Sequence, residues 1–209
     1  MNKKTLGYVI LLGSVWGLAE CGLGIGLKAC AASLSGSVMT AVALFFIATA
    51  YVSGRKFLNV ALAVAVAILF KTLDALMLGL PLGSTEVVHP AFAFVLEGAA
   101  FVAVGALVTR FMQRSHMRGV FWGGMSALIS AAAFPLVKAV SWTSACVVPG
   151  SNVPTAWAYA PVAMVLSMLT VPLALGMAEK ALRFSTKESW RIPAAVALCA
   201  ALMAFVRGI

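Results

Sequence analysis

Five ionisable side chains stand inside long apolar stretches of this 209-residue chain: Glu20, Lys71, Asp74, Glu97 and Lys138. A charged group at the centre of a bilayer costs about 2.5–3.5 kcal/mol on insertion scales. Unpaired, the five would cost on the order of 10–15 kcal/mol, as much as the whole stability of a domain. They must therefore meet one another, water or a ligand. Lys71 and Asp74 are spaced i, i+3 and can pair on one helix face. Glu20, Glu97 and Lys138 need partners from other segments. Three acids and two bases can hold a small polar or zwitterionic solute in a net acidic site. The same groups can also serve as interhelical salt bridges with nothing bound between them.

Other chemistries find little support in the sequence. There is no C-x-x-C and no Cys/His cluster at zinc spacing. The only histidines are His89 and His116, which the topology below puts on opposite faces, against a bis-His haem. No phosphate-binding loop, dinucleotide fingerprint, H-E-x-x-H or nucleophile elbow is present. The expectation is no cofactor, no metal and no catalysis; an intramembrane enzyme working through a carboxyl lacks a recognisable nucleophile. Of the four cysteines, Cys21 and Cys199 lie in apolar runs and read as packed thiols. Cys30 and Cys146 fall on the same outer side and form a candidate disulfide.

The elements that must position these groups follow from composition. Hydrophobic residues make up 63% of the chain, charged ones 10%, and the mean hydropathy is +1.05. A globular domain carries roughly 25% charged residues, so this is a polytopic membrane protein. A bilayer core needs about 20 helical residues to cross. Seven runs approach that length: 6–27, 38–53, 57–78, 90–108, 120–140, 155–178 and 192–206. They lack period-2 alternation and are too long for barrel strands, which predicts an all-α bundle of about seven spans in one domain, 1–209. The second and seventh runs are short. Lys3–Lys4 ahead of the first run and Ala29-Cys30-Ala31 after it resemble a signal peptide, but the run's length and Glu20 within it favour a retained span.

Basic residues set the orientation. Lys3, Lys4, Arg55, Lys56, Arg110, Arg114, Arg118, Lys180, Arg183, Lys187 and Arg191 fall on alternate connections, all on one side; they are eleven of the 15. The positive-inside rule places that side, and the N-terminus, in the cytoplasm of a bacterial inner membrane. The net charge of +9 thus reflects topology and the lipid bilayer, with no nucleic acid implied. In this frame all five embedded charges lie in the outer half of the membrane, on four helices. A single outward polar chamber accounts for their common depth, with Trp16 as a floor and His89 at the mouth. Gly13, Gly17 and Gly24 share a face with Glu20, which permits close helix packing or room for a ligand. Trp142, Trp157 and Tyr159 near the outer boundary read as interfacial anchors or as a lid.

Three segments carry a resemblance: Gly13-Ser-Val-Trp16-Gly17-Leu-Ala-Glu20, Lys71-Thr-Leu-Asp74, and His89-Pro90 followed by Glu97-Gly98. Across the first half of the chain they resemble a group of small bacterial integral membrane proteins, themselves loosely similar to the substrate-binding S components of energy-coupling-factor transporters. The resemblance implies a solute-binding subunit that partners a transmembrane coupling protein and two cytosolic ATPases. S components typically have six helices, against seven here, and the small-residue coupling face of their first helix is matched only by Gly7, Gly13 and Gly17. The leading expectation is a solute-binding transport component with Glu20, Lys71, Asp74, Glu97 and Lys138 lining its site. The alternative is a non-catalytic subunit anchoring a redox or other multi-subunit complex, with its basic loops against a catalytic partner and its embedded charges structural.

Overall fold

A computed structural model of the protein describes residues 3–30, 32–77, 79–112, 115–140 and 155–184, with 196 and 198. The described residues form six helices and no strand: α1 (Lys3–Cys30), α2 (Ala32–Val52), α3 (Phe57–Met77), α4 (Thr85–Phe111), α5 (Ser115–Val140) and α6 (Thr155–Phe184). Five of them, α1 to α4 and α6, contain a stretch long and apolar enough to cross a membrane. At 1.5 Å per residue the shortest, of 21 residues, spans about 32 Å. The expected seventh run, 192–206, and the expected loop with Trp142 lie almost wholly outside the described residues.

The helices alternate in direction. Thr5 at the start of α1 lies near Gly54 just past the end of α2, and Asn59 at the start of α3 bonds back to Ser53. This defines an α2–α3 end, which also carries the end of α4 and the start of α5. The opposite, α1–α2, end carries the starts of α2, α4 and α6.

Helix α2, the one helix of the six without a charged residue, occupies the centre and touches the other five. Its Leu44, Ile47 and Ala48 are fully buried, with Trp16, Phe94, Phe101 and Trp122 around them. The outer surface is equally apolar: Leu58, Leu69, Leu107, Phe111 and Leu169 are 55–72% exposed. Such a surface suits acyl chains and would aggregate in water. Polar bonds pin the bundle where small residues allow contact. Ser37 Oγ donates to the Tyr159 carbonyl at 3.0 Å and Thr170 Oγ1 to the Ala41 carbonyl at 3.1 Å, both joining α2 to α6. Trp122 Nε1 donates to the Phe101 carbonyl at 2.8 Å, joining α5 to α4.

Two boundaries differ from the sequence expectation. Helix α2 starts at Ala32, six residues before the apolar run 38–53, because Ser37 is fully buried and its hydroxyl is satisfied by the Tyr159 carbonyl of α6. Helix α4 starts at Thr85, five residues before the run 90–108, so His89 belongs to the helix and not to the preceding loop. Pro90, in the second turn, lacks the backbone donor for the carbonyl of residue 86 and its ring crowds that carbonyl.

Candidate functional site

Five helices meet around a cavity of about 260 Å³ at the α1–α2 end; α3 alone contributes nothing to it. Helix α1 supplies Glu20, and α2 supplies Ser35, Gly36, Met39 and Thr40. Helix α4 supplies His89, Pro90, Ala93, Phe94 and Glu97, a single face at helical spacing. Helix α5 adds Ser130, Ala131 and Phe134, and Tyr159 of α6 completes the wall.

Glu97 is the polar centre of this arrangement. It is 5% exposed, eight residues and so about 12 Å further along α4 than His89. The Thr40 hydroxyl bonds to its carboxyl, and Glu20 is close enough for the two acids to repel. Its second oxygen, Oε2, has no hydrogen-bond partner. A buried acceptor left unmade costs about 1–3 kcal/mol, more when charged, so a group that supplies a donor or a positive charge there is favoured. At the other end of the wall, the His89 and Phe134 rings meet edge-on at 6.1 Å.

The expected chamber is thus partly assembled. Glu20, Glu97 and His89 line one cavity. Trp16 lies behind the wall, fully buried, its ring 4.8 Å from that of Phe94; it touches the wall without lining the space. Lys71 and Asp74 are brought to each other on α3, Nζ to Oδ2 at 3.3 Å, and neither lines the cavity. Equal depth did not mean an equal face: α3 packs on α1, α2 and α4 and supplies no residue to the wall. The Lys138 side chain, Cys30 side chain and Cys146 lie outside the described residues, so neither the fifth charge nor the disulfide can be placed. Tyr159, expected as an anchor or lid, contributes to the wall.

The glycine face of α1 is used for packing. A Cβ on Gly13 would meet Val66 Cβ at 2.7 Å, and one on Gly17 would collide with Phe70; α3 therefore lies directly on this face. Residues not singled out from sequence include Thr40, Phe94, Ser130 and Phe134. The available signal was Thr40 in the middle of uncharged α2, and the i, i+3 spacing of Phe94 and Glu97.

A second cavity, of about 280 Å³, occupies the α2–α3 end between Tyr51, Arg55, Thr109, Arg118, Trp122 and Pro172, Leu175 and Gly176 of α6. The two cavities share no lining residue. Leu44 and Ile47, both fully buried, lie on α2 between Thr40 in one wall and Tyr51 in the other.

No protein-family model, curated protein or solved structure matches this chain. The functional argument therefore rests on the geometry of the first cavity.

Proposed function

We propose that this chain is a solute-binding component of a membrane transport system, embedded in a bacterial inner membrane. Its site is the cavity around Glu97. One observation carries the proposal: a carboxylate 5% exposed, with one oxygen unpartnered, faces a space of about 260 Å³. That volume falls just below the roughly 300–1,000 Å³ of pockets for drug-sized ligands, which suits a small solute. The basic residues at the α2–α3 end support a cytoplasmic position for that end by the positive-inside rule, which would turn the cavity outward. Fully buried Leu44 and Ile47 lie between the two ends. Inward delivery therefore needs a rocking motion or a partner, and the chain has no nucleotide-binding motif of its own. The transmembrane coupling protein and cytosolic ATPases implied by the resemblance would supply that work.

Native mass spectrometry of the gently purified protein tests this. A retained small molecule, lost on Glu97→Gln or Glu20→Gln, is the expected result. Retention unchanged in both variants would remove the site.

The anchor reading has one observation in its favour, the cavity with Arg55 and Arg118 at the other end. An acidic segment of a partner would suit it. A complex with a peripheral catalytic subunit, holding no solute, would move the assignment there.

A further inference from the structure

We propose that the solute is a small organic cation, an amine or quaternary ammonium on a compact apolar body, with its charge at Glu97 and its body against Phe94 and Phe134. This rests on the binding role proposed above and narrows it to one ligand class.

The cavity wall decides the class. It contains two carboxylates, Glu20 and Glu97, and one imidazole, His89, and among the described residues no lysine or arginine lines it. Lys71 Nζ is bonded to Asp74 on α3, and neither residue is in the wall. Within the described wall an anion would meet two acids and neither a guanidinium nor an ammonium. A zwitterion would satisfy its ammonium and leave its carboxylate beside like charges. A sugar would need hydrogen-bond partners around its whole surface, whereas much of this wall is carbon, from Gly36, Met39, Ala93, Phe94, Ala131 and Phe134. A bare metal ion is disfavoured by the donor set: the described residues hold no group of three or more His, Cys, Asp or Glu able to ligate one.

A cation fits each of these features. It places positive charge at Glu97 Oε2, the unpartnered oxygen, where an ionised carboxylate is otherwise costly to bury. It also gains from the negative faces of aromatic rings, an attraction that strengthens when both partners are desolvated. Tyr159 adds a third ring to the wall.

The test uses the full chain in nanodiscs and four probes of similar body: benzyltrimethylammonium, benzyl alcohol, benzoate and phenylalanine. Binding is read by calorimetry, with native mass spectrometry of the untreated protein alongside. The cation is expected to bind at least tenfold more tightly than the other three, and Glu97→Gln is expected to abolish that margin. The probe comparison uses the wild-type chain, so it stands even where the variant fails to fold; Phe134→Ala is a second variant, expected to weaken the cation and leave folding intact. Equal or tighter binding of the alcohol, benzoate or phenylalanine overturns the cation class while leaving a binding protein. A co-purified solute without positive charge does the same. Failure of all four probes with no solute retained overturns both the class and the binding role.

Discussion

Two carboxylates are buried among the described residues, and they are handled in opposite ways. Asp74, 2% exposed, has the Lys71 ammonium 3.3 Å away on the next helical turn. Glu97 has a hydroxyl, a neighbouring acid and a cavity. The first arrangement is already neutral and belongs to structure; the second is the one that the proposed solute would complete. Lys71→Met should therefore destabilise the protein, on the order of 3 kcal/mol, because it leaves a buried charge without its partner. Replacing both, Lys71→Met with Asp74→Leu, should recover most of that loss. Thermal unfolding in detergent reads both effects, and solute binding in the double variant should match wild type. Loss of binding with stability intact would put Lys71 back in the site. The sequence made the five embedded charges conspicuous because hydropathy reports depth. It could not report which way each helix is turned, and so could not tell that Glu20 and Glu97 line a cavity whose wall leaves out Lys71 and Asp74.

Among the elements, close approach of helices is set by glycines, and their positions were only partly legible. The Gly13–Gly17 face of α1 was visible as a spacing, and α3 lies on it. The tighter contact, between α5 and α6, was not anticipated: a Cβ on Gly123 would run into the Ser167 carbonyl and meet Val171 Cβ at 2.8 Å. A backbone carbonyl cannot swing aside as a side chain can. Gly123→Ala should therefore cost about 1–3 kcal/mol, the usual range for overpacking. Gly22 is the matched control, with nothing within 4 Å of an added Cβ; Gly22→Ala should be neutral or gain about 0.5–1 kcal/mol of helix propensity. Melting temperatures of the two variants side by side check this, and equal behaviour would remove the α5–α6 contact. The helix starts were missed for a related reason. Serines in early α2 lower hydropathy without breaking the helix, since Ser37 finds its partner on α6. Apolar spans report where lipid is met, and helices extend beyond that wherever polar groups are satisfied.

At the scale of the whole molecule, the proposed direction of transport depends on which end faces outward. The described helices alternate so that Gly83, between α3 and α4, belongs to the same end as the Glu97 cavity, and Lys56, between α2 and α3, to the end with Arg55 and Arg118. Both positions are exposed, and a Cβ on Gly83 would meet nothing within 4 Å. In a background with the four native cysteines replaced, Gly83→Cys should react with a membrane-impermeant maleimide in intact spheroplasts, and Lys56→Cys only after permeabilisation. That outcome follows from the basic residues concentrated at the Lys56 end, each resisting translocation. The reverse pattern would leave the cavity and its chemistry unchanged, yet the solute would be collected from the cytoplasm. Uptake would then be replaced by export or by sensing of an internal pool, and an outward-facing coupling scheme would fail. Because the buried Leu44 and Ile47 stand between the two ends, labelling at one end should also be insensitive to reagents confined to the other. Only conformational exchange driven by a partner would couple them.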